Sequence, residues 1–164
     1  MEHLHPSSST LIDWLNSTNK PFVLTTETGP PEAWKSDPEK KWFVLDGKEM
    51  PDWTAAFRTL RDVFRLPHYF GDNLNALSEC LSDADVLSGT AFVVQIQNAA
   101  DALNAANPDA MQGLIQTLED AAEEWAKPIS VNEPWDRPAI PFHIILSGIS
   151  VDPRFAGFPT TPDQ

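Results

Sequence analysis

The side chains able to do chemistry gather between positions 68 and 83. Tyr69 leads into Gly71-Asp72-Asn73, and Asp72, Asn75, Glu79 and Asp83 recur at spacings of 3, 4 and 4 along a segment that reads as a helix from Asp72 to Leu81. That spacing puts anionic and hydrogen-bonding groups on one helical face, while Leu74, Leu77 and Leu81 form an apolar face for a core. Asp72 sits where a helix N-terminus stabilises an anion; Glu79 and Asp83 sit toward the end where the helix dipole opposes them. Carboxylates placed against the dipole suit an external cation or basic protein. A solvated helix face is the plainer reading of the same pattern.

Other reactive residues form weaker patterns. His68 lies four residues before Asp72 and reads as a neighbour of the helix start rather than half of an acid–base pair. His3, His5, His68 and His143 lack metal-ligand spacing. Cys80, the single cysteine, rules out an internal disulfide framework and reads as a buried structural thiol among apolar neighbours. Glu119, Asp120, Glu123 and Glu124 read as a solvated acidic face. No Gly-rich phosphate loop or Ser–His–Asp order occurs, so neither catalysis nor a metal or cofactor is expected.

Charge narrows the partner. With 11 Lys and Arg against 24 Asp and Glu, the formal charge is −13. Residues 66–126 contain no Lys or Arg, yet carry Asp72, Glu79, Asp83, Asp85, Asp101, Asp109, Glu119, Asp120, Glu123 and Glu124. Binding nucleic acid requires cations that displace counterions from phosphates, which argues against that partner. An acidic surface instead attracts a basic protein and speeds the encounter. No apolar run approaches the roughly 18 residues of a transmembrane helix, and Met1–Ser9 has neither the basic nor the apolar part of a secretory signal. With 41% hydrophobic residues, the chain reads as an acidic cytoplasmic protein with a real core.

The elements that must position the site are also visible. Trp42–Leu45, Ala91–Ile96 and Phe142–Ser147 are compact apolar runs expected as strands, the second, interrupted only by Gln95, buried on both faces and the third buried as well. Pro51, at a first helical position, precedes Trp53, Phe57, Leu60 and Phe64 on one face, and Pro67 stops that helix. Asn98–Ala105 suggests a short helix. Asn107 as cap and Pro108 at the first position open a helix to about Trp125, with Met111, Leu114, Ile115, Leu118, Ala122 and Trp125 in one stripe. The order strand, helix, helix, strand, helix, strand predicts an α/β fold with a small parallel sheet covered by helices. Residues 1–41 read as an N-terminal extension: a short helix at Thr10–Asn16 capped by Ser9 or Thr10, a β-prone run at Phe22–Thr26 that could add an edge strand, then loop to Lys41. Residues 42–150 form the main domain, with an irregular Pro-rich loop at 127–141, and 151–164 read as a loosely held Pro-rich tail.

The run Leu66-Pro67-His68-Tyr69-Phe70-Gly71-Asp72-Asn73-Leu74-Asn75-Ala76-Leu77-Ser78-Glu79-Cys80-Leu81 resembles the signature of the barstar family of intracellular ribonuclease inhibitors. Leu45-Asp46-Gly47 and Ile144-Ile145-Leu146-Ser147 fall where that family has its first and third strands, so the resemblance spans about 42–150. It implies a three-stranded parallel sheet flanked by helices. It also implies that the acidic helix and the turn before it, Gly71 and Asp72 included, plug a basic ribonuclease active site, with carboxylates standing where RNA phosphates would lie. By position, the resemblance makes Tyr69 the aromatic that packs on the enzyme, Asn73 a contact through side chain and backbone, and Glu79 the counterpart of the central aspartate. Glu79 is one methylene longer than that aspartate, Asn75 replaces an aspartate, Ser78 replaces a tryptophan, and Gln112 stands where the family has a peripheral glutamate. These departures imply a differently shaped cleft. The implied protein is a monomeric immunity protein in a one-to-one complex with a basic ribonuclease toxin. The alternative is a binding module of the same fold redirected to a non-nuclease partner.

Overall fold

The computed structural model describes residues 8–17, 23–26, 29–149, 152–155 and 158. In chain order it contains α1 (Ser8–Leu15), β1 (Val23–Thr25), the one-turn α2 (Glu32–Lys35), β2 (Lys40–Asp46), α3 (Trp53–Phe64), α4 (Leu74–Leu81), β3 (Ala91–Gln97), α5 (Ala110–Ala126) and β4 (Phe142–Leu146). Short 3₁₀ turns occupy Gly47–Glu49, Ala99–Asp101 and Pro153–Phe155. The strands pair in parallel in the order β1-β4-β3-β2. The expected three-stranded parallel sheet is therefore present as β2, β3 and β4, and Val23–Thr25 of the extension adds a fourth strand outside β4.

Alternation along β3 explains why its sequence is apolar throughout. Phe92, Val94 and Ile96 enter the main core beneath α3, α4 and α5, where they meet Leu60, Phe64, Leu77, Leu81, Leu118 and Trp125. Ala91 and Val93 face the other way, together with Ile145 of β4, into a second cluster built from Leu11, Trp14 and Leu15 of α1 and Trp34 of α2. Gln95 lies on this reverse face too. Its Oε1 accepts from the Trp42 indole at 2.9 Å and its Nε2 donates to Ser147 Oγ at 2.9 Å. Ser147 in turn donates to the Thr26 carbonyl, so one buried polar chain ties the extension to the sheet.

Several boundaries differ from the sequence pattern, each for a local reason. Ser9 and Thr10 lie inside α1, which begins at Ser8. Residues 32–35, expected as loop, form α2, and β2 begins at Lys40. Asp52 rather than Pro51 sets the start of α3, its Oδ1 accepting from Ala55 N at 2.9 Å. That helix ends at Phe64, ahead of Pro67, because Arg65 turns left-handed at φ 53. Asn107 Oδ1 accepts from Asp109 N at 3.0 Å, a turn that delays α5 to Ala110. Only Ala99–Asp101 of the 98–105 segment is helical. Phe22 and the tail beyond 158 lie outside the described residues. The described part of the tail is not loose: Phe155 is buried in the main core, and Arg154 donates to the Ala100 and Ala102 carbonyls at 2.7 and 2.8 Å. The 127–141 loop is likewise organised. Arg137 stacks 4.5 Å over the Trp125 ring and donates to the carbonyls of Glu124, Trp125, Lys127 and Pro138.

His143 links the extension's docking to pH. Its Nε2 donates to the Ser17 carbonyl at 2.9 Å, and its ring lies 4.3 Å from that of Trp14. Burial strips hydration from the imidazolium and pulls the pKa from 6.5 to about 4, although the Ser17 carbonyl favours the charged form. Between those values the unfolded chain takes up a proton that the native site refuses, so stability falls as pH drops through this window. The loss is roughly 3–4 kcal/mol, because each pH step of one between the two values is worth roughly 1.4 kcal/mol. Urea titrations of the native chain are expected to lose this stability between pH 6.5 and 4, and those of His143→Gln to lose less. Parallel profiles would contradict the assignment.

Candidate functional site

The site is built on the connection between α3 and α4. Leu66 N–H bonds the Arg61 carbonyl at 3.0 Å and Leu66 itself is buried, so the chain leaves α3 anchored. Phe70 N–H closes a turn on the Pro67 carbonyl at 2.9 Å. The Phe70 ring then packs against the main core, and Tyr69 beside it is 68% exposed.

Asn73 converts this loop into a helix. Its Oδ1 accepts from Ala76 N at 2.8 Å as the N-cap of α4, and its Nδ2 donates back to the Gly71 carbonyl at 3.0 Å. One side chain thus braces both the turn and the first helical turn. A Cβ on Gly71 would stand 3.0 Å from that same Nδ2, which is why a residue without a side chain suits the position. At the other end of α4 the Leu81 carbonyl, one of the helix's unpaired acceptors, receives the buried Trp125 indole N–H at 2.6 Å.

Between these caps α4 shows the expected two faces. Leu77, Cys80 and Leu81 are buried, Leu74 is half-buried, and Asn75 and Glu79 are exposed. The structure changes the extent of the acidic stripe. Asp72 precedes the N-cap with φ 49 and forms an ion pair with Arg61 instead of standing in the first helical turn. Asp83 lies past the end of α4, its Oδ1 accepting from Asp85 N at 2.8 Å. Ser78 is half-buried, and Gln112 is exposed on α5 next to Gly113, which packs near the Leu74 methyl group.

Three of the sequence-selected residues nevertheless converge. Tyr69, Glu79 and Asp83 line one surface cavity of about 150 Å³, together with Phe70, Ala76 and Cys80. Among the described residues no cation pairs with Glu79 or Asp83. The Cys80 thiol is pushed up by burial first and by the Asp83 and Glu79 charges second, so it stays protonated and unreactive. The described residues hold no group of three His, Cys, Asp or Glu placed to bind a metal, and no helix among them is long and apolar enough to cross a membrane. What the site presents is an exposed phenol, two uncompensated carboxylates and an apolar floor. Arg61 and Trp125 belong to its support and left no functional signal in the sequence: Arg61 is an ordinary residue of a helix's last turn, and Trp125 reads only as part of the core stripe.

Removing the N-cap separates support from surface. Asn73→Ala is expected to cost about 1 kcal/mol of stability, whereas the exposed Asn75→Ala should stay within about 0.5 kcal/mol. Urea midpoints measure both, and equal costs would deny Asn73 its capping role.

A family model described as Barstar (barnase inhibitor) matches residues 40–147. No curated protein matches the chain. The chain belongs to the barstar family.

Proposed function

We propose that this member of the barstar family inhibits a basic ribonuclease by seating the outer face of α4 and the loop at 65–73 in the enzyme's RNA-binding cleft. The observation that carries the reading is the convergence of Tyr69, Glu79 and Asp83 around one outward cavity, with no cation among the described residues set against the two carboxylates. A ribonuclease cleft is cationic because it must hold phosphates. Glu79 and Asp83 supply the matching charge, and the exposed Tyr69 ring supplies a rigid flat contact.

The remaining selected positions take lesser parts. Gly71, Asp72 and Asn73 shape the turn, Asn75 and Ser78 offer neutral contacts, and Gln112 stands on the flank. The partner's cleft must accept a longer carboxylate at Glu79 and lacks a tryptophan to meet at Ser78. In this reading the protein is a cytoplasmic, monomeric immunity protein that forms a one-to-one complex and carries out no catalysis. The neutral Asn75 and Ser78 favour one other reading, in which the same face has been redirected to a partner that is not a nuclease.

Titration into a panel of basic microbial ribonucleases, with RNA cleavage as the readout, separates the two. Inhibition by a stoichiometric amount is expected for at least one enzyme, and none across the panel would favour the redirected module. Glu79→Lys should weaken the complex by about 100-fold or more, the equivalent of roughly 3 kcal/mol. Glu32→Lys makes the same charge change on α2, across the sheet, and should stay within a few-fold. Equal losses would reduce the interaction to bulk charge. Association should also slow steeply with salt, since steering acts over a Debye length of about 8–10 Å. A salt-independent rate would remove steering from the mechanism.

A further inference from the structure

Arg61 stands in the last turn of α3, yet it grips the docking loop at three places. Its carbonyl accepts from Leu66 N–H at 3.0 Å. Its guanidinium carbon lies 5.5 Å from the centroid of the Phe70 ring. Its Nη2 pairs with the Asp72 carboxylate. The side chain thus holds the middle and end of the segment that displays Tyr69, while the main-chain carbonyl, as any residue's would, closes α3 onto its start. Asp72 is one of the few L residue types that readily take a left-handed φ, here 49, and the ion pair fixes its carboxylate within that turn. The residue that follows is the N-cap of α4, so an error at Asp72 would pass into the helix that carries Glu79.

We propose that Arg61 is the positioning residue of the docking loop, fixing it in its binding shape before the partner arrives. The proposal rests on the reading that this loop and α4 form the docking face. A loop already ordered does not charge its ordering entropy to the complex. If only a fraction of molecules held the competent shape, the apparent affinity would fall by that fraction. The two side chains of the ion pair are 41% and 53% exposed, so the pair alone contributes little. Its effect comes from acting together with the stacked Phe70 and the anchored Leu66.

Charge alone would place no Arg here. A cation beside an acidic face repels a basic partner, so removing it on electrostatic grounds should tighten the complex. Positioning makes the opposite forecast, and the two can be told apart.

The experiment compares the full chain with Arg61→Ala, Arg61→Lys and Asp72→Asn. Hydrogen exchange of the free proteins is read first, which needs no partner. In Arg61→Ala the hydrogen-bonded amides of Phe70, Ala76 and Leu77 should exchange about five- to tenfold faster, while those of β3 and α5 stay unchanged. Arg61→Lys keeps the charge but loses the planar stacking group, and should fall between Arg61→Ala and the native chain. Asp72→Asn should reproduce part of the loss. Unchanged loop exchange in Arg61→Ala overturns the proposal, whether or not a ribonuclease is found. With an inhibited ribonuclease in hand, Arg61→Ala should weaken binding by about the factor seen in exchange. Tighter binding would overturn positioning in favour of charge. Failure of every ribonuclease to bind the native chain would count against the proposed function and leave the exchange result to decide the role of Arg61.

Discussion

Burying Leu77, Cys80 and Leu81 in the main core fixes which way α4 points, and with it everything the site can offer. A helix has one rotational setting that hides those three side chains, and in that setting Glu79 and Asn75 must face water. The two ends are held separately, by Asn73 at the start and by the Trp125 indole on the Leu81 carbonyl at the finish. A short helix of eight residues has little stability of its own. Its geometry is therefore imposed from outside, by α5 and the sheet, and the acidic face inherits the rigidity of the core.

That arrangement sets two electrostatic environments side by side. Asp72, just ahead of the positive end of α4, is given Arg61 as a partner. Glu79 and Asp83, toward the negative end, are given no cation among the described residues. Favouring stability alone would distribute the positive charge the other way. The pattern fits a surface whose loop is fastened by an internal ion pair while its outer carboxylates are kept available.

The parallel sheet and the two faces of α4 were legible in the sequence because both rest on periodicity. Continuous apolar runs such as Phe92–Ile96 mean burial on two faces, and Leu74, Leu77 and Leu81 mean one buried helical stripe. Termini were less legible because they depend on single hydrogen bonds: Asp52 and Pro51 are both good start signals, and only the Asp52 contact with Ala55 N decides between them. The reach of the acidic stripe was overestimated for a similar reason. Spacings of 3 and 4 continue through Asp72 and Asp83, but the left-handed turn at Asp72 takes it out of the helix, and Asp83 lies past the Leu81 end that the sequence already marked. Arg61 was invisible because an ion pair across a loop has no period.

The reverse face of the sheet shows how unequally the structure constrains its scaffold and its surface. Ala91, Val93 and Ile145 would meet water if α1 and α2 did not cover them, and Gln95 and Ser147 need each other and Thr26 to stay satisfied inside. Every one of these positions is constrained by a neighbour on another element, so a substitution there must be compensated. Asn75 and Glu79, by contrast, touch only solvent on their outer side and can exchange charge and length without disturbing Leu77 or Leu81 beneath them. Substitutions at Asn75 and Glu79 therefore act on the surface that α4 presents far more than on the fold beneath it.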